Sequence, residues 1–202
     1  MKILRIFFIV LGGFVVLGAP AFAREAHVHG LAHMNVGVEG EKVEIKLVSP
    51  LANVISFEYR PETDAQKKEV RNMAAVMRKA DSLFVLSAEA GCRLKEVSLE
   101  SGVMDDCMLS SGGAGCAEIA HARHEGGKRE AHEHGASGDH DHGHAGLEVE
   151  VSFMCRHPEK LNSMKVDLFR VFPNLHEMEV QMVIPGGQKA AELTPESNTL
   201  RW

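Results

Sequence analysis

The feature that most limits the fold is a polar stretch, residues 101–146, inside the 202-residue chain. Glycine, serine, alanine, histidine and charged residues dominate it, and β-branched and aromatic residues are almost absent. Such a composition buries too little apolar surface to offset the conformational entropy that is lost on ordering. We therefore expect a mobile insert here, with the folded core formed by the sequence on either side of it.

The two flanking regions carry alternating apolar patterns that are typical of half-buried β-strands. Residues 32–38 and 43–48 alternate around a turn at 39–42, and this pattern predicts a β-hairpin. Further strands are predicted, in chain order, at residues 83–86, 93–99, 147–153, 165–169, 177–184 and 189–193.

One amphipathic helix is predicted in the first region, over residues 64–80. Thr63 and Gln66 have the spacing of a capping box, in which each side chain binds a backbone amide of the other residue. Apolar residues then recur at helical spacing on one face: Val70, Met73, Ala74, Met77 and Ala80. The predicted fold is α+β, with two β-rich halves, 24–100 and 147–202, that are built from antiparallel hairpins and separated by the insert.

The amino terminus indicates export from the cytoplasm. A positively charged start precedes an apolar run, 6–17, and residues 21–23 have the small-x-small pattern of a signal-peptidase site. We expect cleavage after Ala23, with the mature periplasmic protein beginning at Arg24. The apolar run is too short for a comfortable membrane span, so we expect no stable membrane insertion after cleavage.

The composition argues against nucleic acid as a partner and against catalysis. The formal net charge is −6 at pH 7, whereas a nucleic-acid surface needs a basic patch. One Trp and one Tyr leave too few rings to stack on single-stranded bases. The sequence contains no HExxH pair, nucleophile elbow, phosphate loop or redox Cys-x-x-Cys, so we predict no enzymatic activity.

The four cysteines favour disulfides, because their number is even and the chain is predicted to be exported. Three connectivities are possible. Cys107 and Cys116 enclose a Ser/Gly-rich loop, whereas Cys92 and Cys155 lie beside apolar segments that flank the insert. We therefore favour the pairs Cys92–Cys155 and Cys107–Cys116. The alternative is a Cys/His zinc site, but the Cys-x-x-Cys-like spacing of such sites is absent.

Histidine is concentrated in the insert, where seven of the twelve histidines fall within residues 121–144. Neutral imidazole is the commonest metal ligand near neutral pH, and His-x-His spacing offers two nitrogens to one ion. Zinc accepts nitrogen ligands together with carboxylate oxygens in four-coordinate sites. Because the predicted ligands outnumber those of one such site, several exchangeable Zn²⁺ ions are expected. The predicted ligands of the insert are His121, His124, His132, His134, Asp139, His140, Asp141, His142 and His144.

A second group of histidines opens the predicted mature chain. In an extended segment, His27 and His29 lie on one face, to which His33 returns. Two or three imidazoles could then approach one ion, so His27 and His29 are further predicted ligands; the alternative is an ordinary polar terminus. We interpret the isolated His157 and His176 as ordinary surface or capping residues.

The ligand types do not select the metal, since imidazole sites bind Cu²⁺ and Ni²⁺ at least as tightly as Zn²⁺. Periplasmic sequestration of excess nickel, copper or cobalt is therefore an alternative function. A structural β-domain in which the histidine run is a pH-sensitive spacer is a third possibility.

Several short motifs resemble a known family when they are taken in order along the chain. They are His27-Val28-His29-Gly30, Ser49-Pro50 with Asn53 and Phe57-Glu58, Ala90-Gly91-Cys92, Phe153-x-Cys155 with Pro158 and Leu161, and Gln188 with Leu193-Thr194-Pro195 and Trp202. Together with the His-rich insert, they make the chain similar to the zinc-regulated periplasmic zinc-binding proteins of Gram-negative bacteria, the ZrgA-like family.

The resemblance implies zinc binding by the insert histidines and a Cys92–Cys155 disulfide. It also implies assistance to a high-affinity zinc ABC importer, by buffering zinc or by delivering it to the importer's solute-binding protein. Two features depart from the family's pattern. Tyr59 follows Phe57-Glu58 where a histidine is expected, which argues against a ligand there, and the pair Cys107/Cys116 is an addition.

Overall fold

The computed structural model describes residues 28–110 and 145–202. Nine strands lie in these two ranges: β1 (Leu31–Glu39), β2 (Lys42–Pro50), β3 (Phe84–Leu86), β4 (Cys92–Glu100), β5 (Gly146–Cys155), β6 (Ser163–Val166), β7 (Glu177–Ile184), β8 (Gly187–Leu193) and β9 (Thr199–Arg201). The helices of the same ranges are α1 (Asp64–Met77), α2 (Ala80–Leu83), α3 (Asp106–Leu109) and α4 (Leu168–Val171). This architecture confirms the α+β class and its richness in strand.

Strands from both predicted halves interleave in one six-stranded sheet, in the order β4-β5-β2-β1-β7-β8. Strand β5 pairs with β2 on one side and with β4 on the other, both antiparallel. Strand β7 adds to β1 in parallel, and β8 then returns antiparallel to β7. The remaining strands form a small sheet, β3-β6-β9. The two halves therefore share their main sheet.

The core lies on one face of the large sheet, as the alternating sequence requires. In β1, Ala32, Met34 and Val36 are buried while the residues between them are more exposed. The apolar face of α1 and the inward residues of the strands belong to a single hydrophobic cluster. The amphipathic patterns of helix and strands are thus satisfied by the same core.

Helix α1 begins as the sequence predicts and ends earlier. The Thr63 hydroxyl accepts from the Gln66 amide at 3.2 Å, and the Gln66 side chain accepts from the Thr63 amide at 2.9 Å. The helix ends at Met77, and Lys79 adopts φ −87° and ψ 44°, which interrupts the helical path. Ala80 then opens the separate helix α2 and stays buried, so the predicted apolar face continues across the break.

Three further segments differ from the sequence predictions. The strand expected over 165–169 ends at Val166, and its last two residues enter helix α4, where Leu168 and Phe169 are buried. Leu83 closes helix α2 and does not begin strand β3. Strand β9 was not predicted, because three residues are too few to show an alternating pattern.

Residues 101–110 fall in the expected insert but belong to the folded domain. They contain helix α3, and Met104, Met108 and Leu109 are buried in the common core. The predicted boundary at 101 was too early, because the glycine and serine content of the following residues masked this short apolar segment. The last two residues of the expected insert are also described, and Gly146 begins strand β5, whereas residues 111–144 lie outside the described residues.

The insert is the connection of an antiparallel hairpin. Glu100 pairs with Glu148 near the end of the β4–β5 ladder from which the insert departs. At the other end of the ladder, Cys92 lies opposite Cys155 and forms a disulfide with it, which confirms the first predicted pair. Cys107 is also disulfide-bonded, while its predicted partner Cys116 lies outside the described residues.

Candidate metal centre

Of the eleven predicted zinc ligands, the structure describes His29. The other ten lie outside the described residues, and their role stays a prediction: His27, His121, His124, His132, His134, Asp139, His140, Asp141, His142 and His144. His29 lies in the turn that leads into strand β1, and the geometry of a possible metal site can be described there.

The imidazole of His29 lies against the carboxylate of Glu58. The distance from Nε2 of His29 to Oε2 of Glu58 is 3.1 Å. The second carboxylate oxygen of Glu58 accepts from the backbone amide of Ala52 at 3.3 Å. The His29 side chain is 67% exposed and that of Glu58 is 32% exposed. A solvent-accessible imidazole thus faces a carboxylate that is partly buried and held in place.

The turn that carries His29 depends on glycine at the next position. Gly30 has φ +89°, a conformation that residues with a Cβ rarely adopt. A Cβ there would also lie 2.9 Å from Cδ2 of His176. The Gly30 carbonyl accepts from the amides of His176 at 2.8 Å and Glu177 at 2.9 Å. The start of β7 therefore holds the turn from one side.

A buried asparagine holds the turn from the other side. Asn53 is 2% exposed, and its side-chain oxygen accepts from the Gly30 amide at 2.7 Å. Its side-chain nitrogen donates to the Leu31 carbonyl at 2.9 Å and to the Ser49 hydroxyl at 3.1 Å. Since buried polar groups are costly unless they are paired, these bonds fix Asn53 and the turn together.

The insert rejoins the fold beside this turn. The amide of Leu51 donates at 3.0 Å to the carbonyl of Ala145, with which the described part of the chain resumes near the end of the insert. The next residue, Ala52, is the one whose amide holds Glu58. Ala145 is therefore hydrogen-bonded to the residue that precedes the one holding Glu58.

His29 and His33 meet different carboxylates. Residues 29–30 form a turn, so the extended path that was predicted from His27 onward begins only at Leu31. Nδ1 of His33 lies 3.3 Å from a carboxylate oxygen of Glu179, on strand β7. Within residues 28–110 and 145–202, no cluster of three or more His, Cys, Asp or Glu side chains is arranged to hold a metal ion.

Tyr59, at the position where the resemblance suggested a histidine, contributes to the start of helix α1. Its hydroxyl accepts from the Gln66 side-chain nitrogen at 3.0 Å, and its ring centroid lies 5.2 Å from that of Phe57. The Phe57-Glu58 motif alone assigns no role to Glu58. Only the fold shows that this carboxylate reaches His29.

The outer face of the large sheet forms an open groove of about 570 Å³. Both of its lysines are paired with carboxylates: Lys46 donates to Glu148 and to Glu150, and Lys42 lies 2.5 Å from Glu44. The hydrogen bond to Glu148 raises the pKa of Lys46. The lining contains no histidine or cysteine, so this groove is a poorer zinc site than the turn at His29.

Comparison with known families decides the assignment. The sequence pattern of the ZrgA family, described as zinc uptake proteins, matches residues 26–202. The chain belongs to the ZrgA family. The match includes the hairpin, the His-rich insert and the strands that follow it, which confirms the resemblance. No individual curated protein matches the sequence.

Membership of the ZrgA family gives the chain a role that involves zinc, in a family of uptake proteins and not of enzymes. Such a role fits a location outside the cytoplasm of a bacterium. No helix in the part of the chain that the structure describes is both long and apolar enough to cross a membrane.

Proposed function

We propose that this ZrgA-family protein binds zinc in the periplasm, buffers it, and delivers it to the solute-binding protein of a high-affinity zinc ABC importer. The observation that carries the proposal is the concentration of seven histidines within residues 121–144 of a chain from a zinc uptake family. Zinc capacity is assigned to the insert ligands named above, with His27 and His29 as a second group.

The position of the insert supports a metal store that is independent of the core. The insert connects β4 to β5 beyond the paired residues Glu100 and Glu148, so residues 111–144 lie outside the strand pairing. Ile119 is the one residue of the Val, Leu, Ile, Met and Phe types between 111 and 144. Such a segment contributes its ligands without contributing to the hydrophobic core.

The ligand chemistry supports exchange. Imidazole binds zinc only when it is unprotonated, and sites built on a segment with no core of its own gain little from preorganisation. Ions held in this way are released more readily than those of a closed structural site. A protein that hands zinc to another protein requires that property.

The test is a zinc titration of the mature protein followed by transfer. Calorimetric titration with Zn²⁺, Ni²⁺ and Cu²⁺ should show several zinc ions bound per chain. The zinc-loaded protein is then mixed with the metal-free solute-binding protein. Zinc should pass to this partner faster than it is released to a chelator. Absence of zinc binding would overturn the proposal. Transfer no faster than dissociation would reduce the role to buffering.

A growth experiment separates the proposal from sequestration of excess metal. Cells that lack the protein should grow more slowly than the parent when a chelator limits zinc. Under excess nickel, copper or cobalt, their tolerance should be unchanged. The opposite pattern would support the sequestration alternative.

A further inference from the structure

We propose that His29 and Glu58 form a zinc site of the ordered domain, open to ligands from a second protein, and that zinc leaves the protein through it. The proposal rests on the proposed function and adds Glu58 to the ligands. It concerns one site outside the insert, so it can fail while zinc binding by the insert stands.

The donor atoms lie close to the separation that a shared ion needs. Zinc binds imidazole nitrogen and carboxylate oxygen at about 2.0–2.2 Å, so tetrahedral geometry places the two donors about 3.3 Å apart. Nε2 of His29 and Oε2 of Glu58 are 3.1 Å apart. A shift of a few tenths of an ångström admits an ion between them, and the charge of Glu58 offsets part of that of Zn²⁺.

The structure holds the Glu58 carboxylate and the backbone that carries His29 before any ion arrives. The Ala52 amide binds the far oxygen of Glu58, which leaves Oε2 directed at His29. Asn53 and the start of β7 fix the turn at Gly30 that carries His29. Such outer contacts orient ligands and commonly change metal affinity by about 10–100-fold when they are removed.

A second His–Glu pair of the molecule lacks this support. Nδ1 of His157 lies 3.5 Å from Glu159, two residues away, and both side chains are more than half exposed. Within the described residues, the Glu159 carboxylate makes no further hydrogen bond or ion pair. The donor types match those of His29–Glu58, but the anchoring does not. This pair is therefore the matched control.

The small number of protein ligands suits the site to passing zinc to a second protein. The two donors that the structure describes leave two positions of a four-coordinate zinc ion to water or to donors of another molecule. The exposed side of His29 allows a partner's imidazole or carboxylate to enter while the first ligands are still bound. The partner we infer is thus a protein that presents nitrogen and oxygen ligands, as a zinc-receiving protein does.

The experiment follows imidazole nitrogen shifts by NMR in the full mature protein during titration with Zn²⁺ alone. His29 Nε2 should move to the metal-bound position, whereas His157 should not. In Glu58→Gln, the zinc concentration needed to shift His29 should rise at least about tenfold. Glu159→Gln should leave the His29 response unchanged. Backbone amide shifts of β1 and β7 show whether each variant keeps its fold.

The outcomes are separable from those for the insert. A His29 signal that zinc does not move, or an equal response in Glu58→Gln and wild type, would overturn this site. Either result leaves the signals of the insert histidines as an independent report on the proposed function. Loss of the His29 response in both Glu58→Gln and Glu159→Gln would also contradict the proposal, since the effect would then be one of total charge.

Discussion

The two ends of the β4–β5 hairpin are built in opposite ways. At one end, Cys92 and Cys155 close the ladder with a covalent bond, and Cys155 is 2% exposed. At the other end, Glu100 faces Glu148 and the chain leaves for the histidine-rich insert. This difference fits our proposal that metal capacity lies beyond the open end, in a part of the chain that can change without loss of the disulfide-closed end.

Removing the disulfide should give the largest loss of stability. The loop that it closes spans a sequence separation of 63, for which the chain-entropy model gives about 4 kcal/mol of unfolding free energy. We expect the double variant Cys92→Ala/Cys155→Ala to lose about that amount in urea unfolding, with unchanged zinc stoichiometry. A parallel fall in bound zinc would show that the two ends are coupled.

The second predicted disulfide should have a smaller effect, because its loop is short. For Cys107→Ala/Cys116→Ala the same model gives a loss of about 2.5–3 kcal/mol. Peptide mapping of the unreduced protein should also recover the linked pair. A free thiol at Cys107 or Cys116, or protection of these thiols by zinc, would contradict the prediction.

The buried Asn53 is where stability and metal binding are least separable, because its hydrogen bonds support both the fold and the turn that carries His29. Asn53→Ala leaves the Gly30 amide without its partner, which costs about 1–3 kcal/mol. The change should also weaken the zinc response of His29. Asn72→Ala, on the exposed side of α1, is the control and should alter neither. An unchanged His29 response in folded Asn53→Ala would show that the turn does not position the site.

The capping box offers the smallest effect and concerns the fold alone. Thr63→Ala removes the acceptor for the Gln66 amide and should cost about 1 kcal/mol. Zinc stoichiometry and the His29 response should remain those of the wild type. A change in either would mean that helix α1 influences the metal ligands.

The parts of the fold that the sequence predicts are those that short-range physics decides. The Thr63–Gln66 box and the strand at 177–184 appear where their patterns place them. The parallel pairing of β1 with β7 joins segments far apart in the chain, and no periodicity encodes it. The same reason explains residues 101–110, whose burial depends on contacts with α1 and β4 that composition does not reveal.

The candidate site divides in the same way. Histidine density identifies the insert from composition alone, whereas the contact between His29 and Glu58 joins residues 29 positions apart. The spacing between His29 and Glu58 matches no metal-binding motif. Asparagine is common in turns, so the sequence does not mark Asn53 as a supporting residue. Their roles follow only once the turn at Gly30 has been placed against β7.

The most direct test of the account replaces residues 120–144 of the mature protein with a Gly/Ser linker of equal length. Bound zinc per chain and thermal unfolding of the metal-free protein are then measured. Most of the zinc should be lost, the remainder should disappear on adding His27→Ala and His29→Ala, and the melting temperature should move by less than about 4 °C, the equivalent of about 1 kcal/mol. Full zinc stoichiometry in the replaced protein, or failure to fold, would contradict the separation of metal capacity from the fold.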